Sequence, residues 1–382
     1  MKDKKPVIAV LADFPLFLVH GNYPRKDWYY AVWLEALYEA FRREARYEVH
    51  WIVFCRSAWR RRVFVEGGQH FHVLPTLPGN ISQILHYRTD CWLAHRELRL
   101  IRPDIIHAWG TETRHAVVAG AYQGKCAKLL SMQGILAALL ARAPMPSYYR
   151  RQLFFERRAM AQFDMVSAES PWGLERCREI CATAKLKHWE YAVNRSFFEV
   201  KRRLSAHPSC LVAGADIPLK NVETAIAAFR SAELAHIDLL VAGIEPGRYA
   251  NLPPNIHLLG GVDHQRIRSL LGEVWCLLHP SLGDTSPNIV KEARVVGVPV
   301  VVSSDCGGTQ YVEHEKSGFI VAPRDTEDII RAIGVLTQDA GTSLSMGAWE
   351  RDKCRQALSA ETMLSGVEQM YGELLAAPPP GR

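Results

Sequence analysis

No stretch of this sequence approaches the ~18 consecutive apolar residues that a bilayer-crossing helix needs. The opening MKDKKPVIAVLADFPLF also lacks the long apolar core and small-residue cleavage site of an export signal. A cytoplasmic location is therefore expected. The nine cysteines are odd in number and scattered, with no Cys-x-x-Cys pair, and Cys177 and Cys181 share a helix face without nearby partners. Neither a disulfide framework nor a zinc site is indicated. There is no low-complexity tract and no internal repeat of about 20 to 50 residues, which excludes solenoids and propellers. What remains is a globular chain of 382 residues, 48% hydrophobic, with core material for two ordinary domains.

Strand-like and helix-like segments alternate from end to end, the pattern of α/β layers on mainly parallel sheets. The first half is expected to hold strands at 7–11, 49–54, 71–74, 104–108, 127–131 and 164–168, with helices at 28–43, 81–101, 148–163 and 172–181. Lys201-Arg202-Arg203 reads as part of a linker. Beyond it come strands at 210–213, 237–242, 256–259 and 274–279, and helices at 222–232 and 264–271. This divides the chain into an N-terminal domain over 1–195 and a second over 205–358. Two doubly wound units place strand C-termini and helix N-termini along a shared cleft, where ligands of such sheets bind.

Ser281 to Gly308 reads SLGDTSPNIVKEARVVGVPVVVSSDCGG. Ser286 suits a helix cap and Pro287 the first helical position; Ile289, Val290, Ala293 and Val296 then recur at helical spacing up to a stop at Gly297. A helix N-terminus carries unpaired N–H groups and partial positive charge, so the amides near Ser286, Asn288 and Ile289 offer a seat for a diphosphate. Glu292, inside that helix, is placed for the vicinal hydroxyls of a ribose, and Asp284, on the loop before it, for the hydroxyls of a transferred sugar. The alternative is two solvated surface acids.

Other residues are expected at the cleft. Lys220 follows Gly214 on the loop GADIPLKN and suits the charge that develops on a departing diphosphate; a capping or solvated lysine is the alternative. Gly243, in the segment Ala242 to Pro246, is expected on the donor side, where base-reading contacts are often made by backbone groups. In DIIHAWGTETRH a buried run ends in a polar turn that places Glu112 and His115 near a helix start. Gln133 and Gly134 end the next strand, and an amide there orients a hydroxyl but cannot titrate. Asp13 and Gly21, after the first strand, complete the acceptor side.

The acid, seven residues, Glu spacing of Asp284 and Glu292 continues into Ser304-Asp305-Cys306-Gly307-Gly308 and the EHEKSGFIV run from Glu313 to Val321. Over roughly the C-terminal half this resembles the donor-site signature of retaining glycosyltransferases of family 4, which have the GT-B fold. The resemblance implies that Glu292 matches the ribose-binding glutamate and Asp284 the sugar-contacting acid. It also implies two Rossmann-like domains facing across a cleft, with a closing helix within 360–377 that crosses back to the first domain. It implies front-face transfer with no protein nucleophile, cofactor or metal. The sequence departs from the pattern at Asp284, where the family mostly has Glu; at Ala215, where an Arg is common; at Gln133, where many have His; and around Phe14-Pro15-Leu16, where Gly-Gly is usual.

Charge is uneven. Residues 1–195 hold 29 Lys and Arg against 18 Asp and Glu, leaving 17 against 22 for the remainder of a chain whose net charge is +6. Arg60-Arg61-Arg62 and the group Arg150, Arg151, Arg157 and Arg158 around Leu153-Phe154-Phe155 suit an anionic membrane face or a lipid-linked acceptor, or are solvated faces. No recognition motif points to nucleic acid. The leading expectation is sugar transfer from a nucleotide-diphosphate sugar to a glycan or lipid-linked hydroxyl, in surface polysaccharide or glycolipid synthesis. A sugar-nucleotide epimerase and a catalytically silent GT-B protein that binds nucleotide sugar or glycan are the rivals.

Overall fold

The structure, a computed structural model, describes residues 5–21, 23 and 31–377. Asn22, the expected helix start at 28–30 and the 378–380 prolines lie outside the described residues. The first sheet is built from β1 (Val7–Leu11), β2 (Glu48–Cys55), β3 (Arg62–Glu66), β4 (Gln69–Pro75), β5 (Ile105–Trp109), β6 (Ala127–Ser131), β7 (Met165–Ala168) and β8 (Leu186–His188), in the order β3-β4-β2-β1-β5-β6-β7-β8. Only the β3–β4 pair is antiparallel. The second sheet is parallel, from β9 (Ser209–Ala213), β10 (Asp238–Ala242), β11 (Ile256–Leu258), β12 (Cys276–His279), β13 (Val300–Ser303) and β14 (Gly318–Val321), in the order β11-β10-β9-β12-β13-β14. Strands such as β1 and β12 are buried throughout because helices cover both faces, which is why they read as continuous apolar runs.

The helix Ala360–Ala376 begins at Ser359, whose side chain accepts from the Thr362 amide, and buries Met363, Val367, Met370, Tyr371 and Leu374. These side chains belong to the core of the first sheet, and Tyr371 Oη lies 2.8 Å from His107 Nδ1 on β5. The chain therefore returns to its first domain after completing the second.

Three expectations need correction. The helix expected over 81–101 is two, Gly79–Ile84 and Arg88–Ile101, because His86 and Tyr87 adopt left-handed backbone angles and Tyr87 turns inward to donate to Gln152 at 2.7 Å. The strands β3 and β8 were not expected. The helix after the Ser281 loop runs Asn288–Val296 with Pro287 at its cap position, so Ser286 lies outside the helix and does not cap it. All nine cysteines are free, and no helix among the described residues is long and apolar enough to cross a membrane.

Candidate active-site cleft

Both sheets turn their strand C-termini toward one another, and the loops there supply the candidate residues. On the second domain, Asp284 follows β12 and is held by Lys220, whose ammonium lies 2.6 Å from its carboxylate, with His279 Nε2 3.5 Å away. Burial alone would raise the Asp284 pKa, but Lys220 and His279 more than offset it and hold this carboxyl well below the usual carboxylate range. Burial pushes the His279 imidazolium down, against the pull of Asp284. The Lys220 loop is fixed to the Asp284 loop through backbone: Leu282 N and Ser281 Oγ both donate to the Leu219 carbonyl at 2.9 Å.

The helix Asn288–Val296 has no side-chain cap, and the Asn288 and Ile289 amides have no acceptor among the described residues. That leaves donors open to an anion. Glu292 is buried without a hydrogen bond or ion pair among the described residues, and burial raises its pKa to about 8 against a weaker opposing pull from Lys291. Gly243, at a φ of 96°, brings its backbone against the Gly214 carbonyl, where any Cβ would collide.

The first domain contributes a cavity of about 680 Å³ whose walls include Asp13, Trp109, Glu112, His115 and Gln133. Glu112 accepts from the Gly134 amide, and burial, with Glu156 nearby, raises its pKa to about 7. A Cβ on Gly134 would press on the Glu112 carboxylate. His115 is buried, its Nδ1 2.9 Å from Thr113 Oγ1 and its Nε2 3.5 Å from Asp13 Oδ1; burial lowers its pKa against the pull of Asp13. Behind this wall the buried Glu156 accepts from Thr111 Oγ1, Leu136 N and Ala137 N, which fixes both loops that present Glu112 and Gln133.

The domains meet directly beside these groups. Lys291 Nζ pairs with Glu169 Oε2 at 2.6 Å, with both side chains almost fully buried, and Ser170 Oγ donates to the Thr285 carbonyl at 2.6 Å. Burial raises the Glu169 pKa to about 7 although Lys291 opposes the shift. Arg142 forks onto Asp305 at 2.7 and 2.8 Å, and Trp172 Nε1 donates to the same carboxylate at 3.0 Å.

Residues 207–339 match the family described as "Glycosyl transferases group 1". An exopolysaccharide phosphotransferase of Streptomyces coelicolor is 25% identical over 170 residues, which cover 42% of this chain and 18% of that protein. Over nearly the whole chain the structure resembles a sucrose-phosphate synthase from Thermosynechococcus elongatus, with a TM-score of 0.78 at 17% identity, covering 98% of this chain and 100% of that one. It also resembles Anabaena HepE solved with UDP and glucose, with a TM-score of 0.68 at 14% identity, covering 97% and 100%. A glycosyltransferase from Rickettsia africae gives a TM-score of 0.70 at 13% identity, covering 98% and 100%. At these identities the likeness is one of architecture.

The fold is GT-B. In this GT-B cleft Asp284, Lys220, Gly214, Gly243, Ser286, Pro287, Asn288, Ile289 and Glu292 fall on the second domain, and Asp13, Glu112, His115, Gln133 and Gly134 on the first. Gly21 is the exception: it is exposed, does not line the cavity, and has open space where a Cβ would stand. Sequence reasoning missed His279, Glu169, Lys291 and Arg142. Arg142 lies against Gly283, one residue from Asp284, and brings a cation there from the opposite domain. Of the basic clusters, Arg61 is committed to the buried Glu97 at 2.6 Å, while Arg60 stacks on the exposed Trp59 and Arg158 on the exposed Phe154.

Proposed function

We propose that this chain is a retaining glycosyltransferase that moves a sugar from a nucleotide-diphosphate sugar to a hydroxyl of a glycan or lipid-linked acceptor, at the inner face of a membrane. The observation that carries the reading is the uncapped start of the helix Asn288–Val296, set between the Asp284–Lys220 pair and the unpartnered Glu292. A diphosphate accepting from the Asn288 and Ile289 amides would draw Lys220 toward its oxygens, leaving Asp284 to accept from the sugar's hydroxyls and Glu292 from the ribose. Arg142, against Gly283 and paired with Asp305, is a further cation beside Asp284, where Ala215 supplies none.

Transfer then needs no protein nucleophile. The acceptor oxygen attacks the anomeric carbon from the face that the phosphate leaves, the bond from that carbon to the phosphate oxygen breaks, and the acceptor's proton passes to the departing phosphate. Lys220, Arg142 and the helix amides carry the charge that builds on that phosphate, so the reading requires no metal. Glu112, His115, Gln133 and Asp13 line the cavity where the acceptor hydroxyl would approach. Exposed Trp59 and Phe154, each stacked with an arginine, support peripheral contact with an anionic membrane.

HepE has been solved with UDP-glucose and an Escherichia coli neighbour with UDP-2-fluoro glucose, which makes UDP the first nucleotide to test. Thermal unfolding with UDP, GDP, ADP and CMP is expected to show a rise of several degrees for one of them, the effect of a ligand near 100 times its dissociation constant. Glu292→Ala is expected to weaken that nucleotide by ~1–3 kcal/mol. No response to any nucleotide would overturn the donor site. Glu112, titrating near neutral pH beside Gln133, favours the epimerase as second reading. Isomerised nucleotide sugar formed without acceptor would select it.

A further inference from the structure

At the end of the first sheet away from the cleft, β2 and β4 bring Glu48, His50, His70 and His72 onto one face. Residues two apart in a strand share a face, and the parallel register sets His50 beside His70. One carboxylate oxygen of Glu48 and one ring nitrogen each of His50 and His70 lie within 4.8 Å of one another, the only such group of His, Cys, Asp and Glu among the described residues.

A hydrogen-bonded chain behind them holds the His72 and His50 rings in place. Arg61 holds Glu97 by two bonds of 2.6 and 2.8 Å, Glu97 Oε2 lies 2.9 Å from His72 Nδ1, His72 Nε2 lies 3.0 Å from His50 Nδ1, and His50 Nε2 lies 3.0 Å from Glu48 Oε1. Glu97, paired with Arg61, only accepts, so His72 carries its proton on Nδ1 and turns a lone pair to His50. His50 Nδ1 must then donate, so a neutral His50 turns the lone pair of Nε2 to a carboxylate oxygen at 3.0 Å. Two acceptors at that distance share a cation, either a proton on Nε2 or a metal ion. His70 stacks on His50 with ring centroids 4.5 Å apart, and its ring nitrogens make no hydrogen bond among the described residues.

We propose that Glu48, His50 and His70 bind one divalent transition-metal ion, zinc by ligand type, with His72, Glu97 and Arg61 orienting His50 from behind. Two imidazoles and a carboxylate with a fourth position for water suit zinc, and a carboxylate-backed histidine is the usual second layer around it. Bonds of ~2.0–2.1 Å set tetrahedral ligands about 3.4 Å apart. The Glu48–His50 contact of 3.0 Å is close to that spacing; the half-buried His70 must turn out of its near-parallel stack on His50 to bring a nitrogen to the ion, and the exposed Glu48 adjusts around it. His50 precedes Cys55 at the cleft by five residues, or about 16 Å of strand, so the ion ties β2 to β4 and takes no part in sugar transfer.

The test uses the full chain, stripped with EDTA and desalted. Zinc titrated against a chromophoric chelator should bind one ion per chain, cobalt should give a visible absorption band, and zinc should raise the unfolding midpoint. Glu48→Gln and His70→Gln should each weaken zinc at least 10-fold with the circular dichroism spectrum and the nucleotide response retained. Should His70→Gln fail to fold, the exposed Glu48→Gln decides alone. No tight zinc, or zinc held equally well by the folded variants, overturns the site.

Discussion

Lys220 Nζ stands 2.6 Å from Asp284 Oδ2, so the cation assigned to the donor's diphosphate and the acid assigned to its sugar are partners before any ligand arrives. Donor binding on this reading exchanges one anion for another at Lys220. Asp284→Asn should therefore bind UDP at least as tightly as the parent while transfer falls by about 100-fold, the scale of losing one positioned polar group at a reaction centre. Calorimetry for UDP beside a transfer assay separates the two; weaker UDP binding in the variant would sink the exchange.

Glu292 makes a prediction about pH. Its carboxyl titrates at about 8 in the free protein, and ribose hydroxyls donating to it favour the ionised form, so binding lowers that pKa and releases a proton. Affinity for the nucleotide should rise with pH and level off above about 8. At pH 7 the binding enthalpy should differ between buffers of different ionisation heat, and Glu292→Gln should abolish the difference. A buffer-independent enthalpy in the parent would remove Glu292 from the ribose.

Glu169 and Lys291 form a buried ion pair across the domain junction. Lys291→Met strands the carboxylate and should cost about 3–5 kcal/mol, whereas adding Glu169→Gln should recover most of that loss. Urea unfolding of the two single variants and the double variant measures the coupling. Additive losses would mean that the contact contributes nothing of its own.

Tyr371→Phe removes the hydroxyl beside His107 Nδ1 in a buried setting and should destabilise the protein by about 1–3 kcal/mol with little effect on nucleotide affinity. Unchanged unfolding with altered UDP binding would contradict a purely structural role for the returning helix.

What the sequence made legible depended on how locally each feature is encoded. The apolar run at 298–302, the stop at Gly297 and the apolar spacing of the last helix are written within short stretches of sequence, and each was readable. The β3–β4 hairpin was readable too, since Gly67-Gly68 with both φ angles positive is a strong turn signal between alternating residues, and it was overlooked. The break at His86 and Tyr87 was not readable, because its cause is Gln152, 65 positions from Tyr87. The same holds at the cleft: Asp284 and Glu292 declare themselves by spacing, but Lys291–Glu169 and Arg142–Asp305 join residues 122 and 163 apart and exist only once the domains meet.

The His107–Tyr371 contact joins residues 264 positions apart. During synthesis the ribosome delivers the entire second domain before the helix that seals the first, so one apolar face of the first sheet stays uncovered while about 170 further residues are added. The domain made first is thus the last to be finished, and its open face is the stage at which the growing chain is most exposed to aggregation and most in need of a chaperone.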